Sequence, residues 1–217
     1  PVHAFADALY TEPVKTGKYE PVLEKIKEGF KTPGQVQYVC RAGSFKNAGL
    51  SYTGALKVLK VMMGYDYLWG QVRVKGGAYG CMCHFARSGA CYFVSYRDPN
   101  LKNTVEVYEN AADYIAAFEA DERTLTQFII GAISELDTPM TPASKGLFSL
   151  TGYMVEMTDE AMQKERDELL ATTAEDLRAT AEHIRAFMAE DAFCVVGNAE
   201  KIEEAKDMFD RIENLVG

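Results

Sequence analysis

The chain has 217 residues, 47% hydrophobic and 25% charged, enough apolar material for one large domain or two small ones. Its 32 acidic residues outnumber 23 Lys and Arg, and a net charge of -9 argues against nucleic acid and anionic membrane as partners, since both need a basic footprint. No apolar run approaches the ~20 residues that span a bilayer, and five cysteines without a disulfide-framework spacing suggest reduced thiols in a reducing compartment.

Residues 1–34 read as a lead-in. Within it "YEPVLEKIKEGFKTPG" has the pattern of a short amphipathic helix closed by Pro33-Gly34. Residues 35–217 read as a single domain, and "QVQYVCRAGSF" opens it as a strand rich in β-formers. From Ser51 onward Tyr52, Ala55, Leu56, Leu59, Met62 and Met63 recur at helical spacing. That helix is expected to continue through "YDYLWGQVRV", with Arg73 and Lys75 near its end and Gly76 as the stop.

"YGCMCHFA" and "ACYFVSYR" then flank a turn containing Gly89, which predicts a hairpin ended by Asp98-Pro99-Asn100. Helical spacing returns from Leu101 to Phe118, and a further helix runs from Glu122 to Leu136 until two prolines in "DTPMTPASKG" break it. "TDEAMQKERDELL" has Thr158 as N-cap, and "TTAEDLRATAEHIRAFMAE" has Thr172 and Glu175 spaced as a capping box. "AFCVVG" predicts a strand leading through Asn198 into a closing helix over "AEKIEEAKDMFDRIENLV". Few strands with long helices after a hairpin predict an α+β domain, its helices packed on a mainly antiparallel sheet.

Chemistry is constrained by what the chain holds. Its histidines are His3, His84 and His183, and none falls in the paired H-x-x-E-H spacing that a zinc peptidase helix requires. Cys81, Cys83 and His84 are a poor metal set, because 81 and 83 share one face of a strand while 84 points to the other. Those cysteines serve more simply as small buried hydrophobes. There is no G-x-S-x-G elbow, His183 sits mid-helix beside Glu182, and "KGGAYG" precedes a strand instead of opening a phosphate-binding helix.

"RVKGGAYG" remains. Arg73 at a helix C-terminus is favoured by the macrodipole, and Tyr79 could be a half-buried strand aromatic. Alternatively, Gly76 and Gly77 turn the backbone sharply and aim a cation and a phenol at one point. Such a pair would hydrogen-bond a carbonyl oxygen and stabilise the charge it gains under attack.

"RVKGGAYG", followed by "SYRDPNL", "TLTQFIIGAISELDTP", "SKGLFSL", "ERDELLATTAEDLRATAE" and "FCVVGNAEKIEEA" in order, resembles the C-terminal half of presequence protease and its bacterial relatives, in the insulinase/pitrilysin class of zinc peptidases. The similarity spans roughly residues 35 to 217. It implies one long parent chain folded as two clam-like halves around a chamber for unfolded peptides. Zinc and its glutamate base would belong to the N-terminal half, the partner of this domain, with no metal held here. Arg73 and Tyr79 would reach across to the scissile carbonyl, with Gly76 and Gly77 as hinge glycines. The start at Pro1 fits a last domain cut from a larger peptidase, inactive alone because it lacks the zinc motif. The location would be cytoplasm, or an organelle matrix in a eukaryote. A different outcome is a scaffold module of the same fold that binds peptides or subunits without catalysis, and a third is a thiol or metal protein using Cys81, Cys83 and Cys91.

Overall fold

The computed structural model describes residues 2–9, 17–18, 20 and 24–215. A short helix α1 (Val2–Asp7) is followed by the first strand, β1 (Glu28–Thr32). This corrects the helix expected over residues 19–34, of which 19 and 21–23 lie outside the described residues. The apolar spacing there is helix-like, but a sheet partner decides the outcome: β1 fits between two parallel neighbours, β5 and β6, introduced below, and ladder pairing overrides local propensity.

β2 (Gln37–Ser44) follows as the sequence predicts, then a 3₁₀ turn over Phe45–Ala48. Helix α2 (Ala55–Met62) buries Leu56, Val58, Leu59 and Met62 and continues with wider, π-type winding over Met63–Tyr67 and Trp69–Lys75. The predicted hairpin is β3 (Gly80–Phe85) and β4 (Ala90–Asp98), closed at Gly89 with φ of 96°. Helices α3 (Lys102–Glu109), α4 (Ala111–Ala116) and α5 (Glu122–Leu136) come next.

After the double-proline break the chain forms α6 (Pro142–Met154), a helix that the sequence reading does not include. α7 (Asp159–Leu170) is capped by Thr158 as expected, its side chain accepting from Ala161 N–H. The capping box falls one residue later than the sequence suggests. Thr173 and Asp176 form it, at the start of α8 (Ala174–Ala179), while Thr172 donates its hydroxyl back to the Glu168 carbonyl. α9 (Ala181–Ala189) leads to strand β5 (Ala192–Asn198).

The closing helix is also corrected. α10 (Ala199–Glu204) is short, and the chain ends in strand β6 (Arg211–Asn214), parallel to β1. Side-chain and backbone anchors outweigh its helix-like composition. Phe209 stacks on Phe193 at 5.2 Å, and Arg211 N–H donates to the Lys27 carbonyl.

The sheet order is β3-β4-β2-β5-β1-β6. The β3–β4, β4–β2 and β2–β5 ladders are antiparallel, and β1 pairs parallel with both neighbours. The fold class is therefore the expected one, helices packed on a mixed, mainly antiparallel sheet. Its core joins α2 and α9 to the sheet face carrying Val39, Cys83, Phe85, Phe93 and Val195. Phe187 of α9 is fully buried, 5.0 Å from the Phe93 ring. α9 crosses β2 so closely that a Cβ on Gly43 would lie 2.2 Å from the Phe187 carbonyl oxygen.

The opposite face remains partly exposed. Period-two alternation and register place Tyr38, Cys40, Met82, His84, Tyr92, Val94 and Tyr96 on it. Tyr38 and Met82 are close to half exposed, and His84 stacks on Tyr92 at 5.5 Å.

Candidate functional site

The end of the helix beneath β3 carries Arg73. Its guanidinium carbon lies 3.8 Å from the Trp69 ring centroid, a cation–π contact that fixes the arm of the side chain. Among the described residues Arg73 has no carboxylate partner within ion-pair distance. π-type winding is uncommon and often marks functional sites.

The turn after Arg73 needs its two glycines for different reasons. Gly76 N–H donates to the Gln71 carbonyl at 3.0 Å, Gly77 N–H to Arg73 at 2.9 Å and Ala78 N–H to Val72 at 3.2 Å. Gly77 is the left-handed residue, with φ of 79°. Gly76 keeps a right-handed φ of -79°, but a Cβ there would sit 2.5 Å from the Val72 carbonyl oxygen. The sharp turn anticipated from "KGG" is present and divides its requirements between conformation and space.

Tyr79 lies directly after this turn, at the mouth of β3. It is 61% exposed, so it is not the half-buried strand aromatic that one sequence reading offers. Its N–H donates to the Arg97 carbonyl at 3.3 Å, its ring meets Tyr96 edge-on at 5.4 Å, and the Arg97 guanidinium carbon lies 5.4 Å from its centroid. Arg73 and Tyr79 thus occupy the same end of the sheet, either side of the Gly-Gly turn.

"SYRDPN" braces that turn. The β2–β4 register passes from Val39↔Ser95 to Gln37↔Asp98, so β4 carries one extra residue, a bulge at Tyr96-Arg97. Arg97 adopts φ of 48°, unusual for a residue with a side chain. The next residue, Asp98, is fully buried and accepts from Asn100 N–H at 2.9 Å and the Thr104 hydroxyl at 2.7 Å. The Asn100 side-chain amide then donates to the Gly76 carbonyl at 2.6 Å. The roles of Tyr96, Arg97 and Asn100 were not legible in the sequence, because the bulge that gathers them has no local pattern.

The cysteines behave as packing residues. Cys83 and Cys91 are buried, and burial pushes both thiols up to about 12. Burial, then the Asp98 charge, raises Cys81 to about 11, with the Arg73 charge pulling the other way. Cys83 faces α2, its thiol 3.5 Å from the Lys60 carbonyl, while His84 projects from the other face. Among the described residues no three His, Cys, Asp or Glu side chains converge as metal ligands. His183 is half-buried, its Nε2 2.9 Å from the Ser51 carbonyl.

A second feature is α6, which buries none of its residues. Leu147, Phe148, Leu150, Tyr153 and Met154 are all more than half exposed. Single exposed apolar side chains are ordinary, but five within eight residues of one helix are a concentration that nothing among the described residues covers.

The fold is shared with solved structures. An inactive domain of an M16 peptidase from Pseudomonas fluorescens superposes with a TM-score of 0.58 at 16% identity, covering 90% of this chain and 49% of that one. Pitrilysin superposes with a TM-score of 0.52 at 12% identity, over 81% of this chain and 20% of that one. At sequence level the PreP C-terminal domain model matches residues 27–199, and the chain belongs to that family. It is 46% identical to Protein HypA of Clostridium perfringens over 92% of its length, and 36% identical to Presequence protease 1, chloroplastic/mitochondrial, of Arabidopsis thaliana over 83%. It spans about a fifth of these relatives, 20% and 17% respectively.

Proposed function

We propose that this chain is the non-catalytic C-terminal domain of a zinc-dependent oligopeptidase that degrades unstructured peptides. It closes the substrate chamber and presents Arg73 and Tyr79 to the scissile carbonyl. The observation that carries this reading is a guanidinium without a carboxylate partner among the described residues and an exposed phenol on either side of a braced Gly-Gly turn. Neither group is a good base at neutral pH. Both are donors, suited to hold a carbonyl oxygen and the negative charge that grows on it.

Two surfaces support the rest of the reading. The half-exposed sheet face offers aromatic and aliphatic side chains to an extended peptide of little sequence definition. The apolar side of α6 is suited to pack against the remainder of the parent polypeptide, its N-terminal half. Zinc belongs in that half on this reading, since Cys81, Cys83 and His84 diverge and do not fit a ligand set. The domain alone would not cleave. Cytoplasm or an organelle matrix suits the free thiols.

The test is Tyr79→Phe in the full-length parent enzyme. Loss of one oxyanion donor lowers turnover by ~10²–10³ in enzymes where it has been measured, and a deficit of that order is expected. Near-normal turnover would remove the role. A parent chain without an H-x-x-E-H motif would point to the scaffold reading.

A further inference from the structure

The bulge in β4 holds Arg97 in a left-handed backbone conformation that disfavours any residue with a Cβ. Glu156 and Asp191 adopt the same conformation, with φ of 55° and 53°, so the backbone by itself assigns Arg97 no role. What sets Arg97 apart is its position. The guanidinium stands 5.4 Å from the Tyr79 ring centroid, and the Arg97 carbonyl receives the Tyr79 N–H.

Among the described residues its charge has no carboxylate partner, in a domain that is acidic as a whole. Arg41, Arg87, Arg166, Arg185 and Arg211 each hold a carboxylate of this chain. Arg97 has none among the described residues; nor do Arg123 and Arg178, the latter donating to the Phe118 carbonyl at 3.2 Å, but only Arg97 stands against Tyr79, and the acid next to it, Asp98, is turned inward to Thr104 and Asn100. Arg73 and Lys75 are likewise without a carboxylate there; Lys75 touches only the Gln71 amide, at 3.2 Å. The Tyr79 end of the sheet is therefore a positive rim on a negative domain.

We propose that Arg97 is a further substrate-contacting residue, one that binds a carboxylate carried by the peptide near the bond held at Tyr79. A guanidinium offers the planar fork that matches a carboxylate with two parallel N–H donors. This rests on the reading of Tyr79 as a substrate contact and adds a specificity: peptides with an acidic side chain or free C-terminus close to the cleaved bond are preferred.

The experiment uses the full-length parent enzyme and a peptide series in which Glu, or isosteric Gln, is placed at each position around one cleavage site. The readout is the Glu/Gln ratio of kcat/KM. Arg97 favours Glu at one or more positions, and in Arg97→Asn that ratio falls by about 10- to 100-fold, the worth of a charge-assisted hydrogen bond. Arg97→Lys keeps the charge without the fork and falls in between. Asn tolerates the left-handed backbone, so the melting temperature holds or rises. An unchanged ratio at every position overturns the proposal, as does a lower melting temperature with the ratio preserved, which would make Arg97 structural. Tyr79→Phe is run in parallel. Normal turnover in that variant defeats the carbonyl-holding role itself, whereas a Tyr79 deficit with an Arg97-independent ratio defeats only the carboxylate site.

Discussion

Substitutions at Gly76 and Gly77 should fail for different reasons, and the difference is measurable. At Gly77 the backbone has φ of 79°, and the nearest atom to an added Cβ is Pro99 Cγ at 3.6 Å, ordinary contact. Gly77→Ala therefore suffers conformational strain alone, about 1–2 kcal/mol. For a domain of this size that lowers the melting temperature by roughly 2–8 °C. Gly77→Asn should recover part of the loss, because Asn visits the left-handed region more readily than Ala. At Gly76 the backbone is right-handed, but a Cβ would overlap the Val72 carbonyl at 2.5 Å, an atom that cannot move without unwinding the helix end that carries Arg73. Gly76→Ala then costs about 1–3 kcal/mol from crowding, and Asn there is no better than Ala. Thermal unfolding of the four variants by circular dichroism decides it. Equal stability of Ala and Asn at 77, or a neutral Gly76→Ala, would refute the division of labour in this turn.

Asn100→Ala removes the amide that holds the Gly76 carbonyl at 2.6 Å, and should cost about 1 kcal/mol of stability while lowering the parent enzyme's turnover through a displaced Arg73; unchanged turnover would mean the brace does not position the site. Phe187→Ala empties the space between Phe93 and β2 and should cost about 3–5 kcal/mol, on the order of 10 °C in melting temperature. A loss below 1 kcal/mol would show that α9 is not packed as described. Cys83 and Cys91, with thiols pushed up to about 12, stay protonated at pH 8 and should react with iodoacetamide roughly a thousandfold more slowly than an ordinary cysteine until the chain unfolds. Rapid native labelling of either would revive a thiol function.

The segments the sequence made legible are those with sustained local periodicity. α5 from Glu122 to Leu136, the hairpin around Gly89, and α7 with its Thr158 cap match their patterns because capping and packing agree with propensity there. The two errors of type, β1 and β6, are parallel strands next to each other at one side of the sheet. Their pairing joins residues 28–31 to 211–214, and no local signal in "KEGFKT" or "DRIENL" reports a partner so distant. α6 was missed because its apolar residues follow a double-proline break and bury nothing within this chain. At the site, "RVKGGAYG" showed the turn and its two flanking donors. The brace from Asp98 through Asn100 to Gly76, and the guanidinium beside Tyr79, depend on a bulge that becomes visible only once β2 and β4 are aligned.

On the proposed function, this domain completes a peptidase that it does not constitute alone. The direct measurement is hydrolysis of an unstructured peptide by this chain, by the N-terminal part of its parent, and by the two mixed with zinc. Activity is expected only in the mixture, reduced sharply when the added chain carries Tyr79→Phe. Full activity of the N-terminal part without this domain would contradict it.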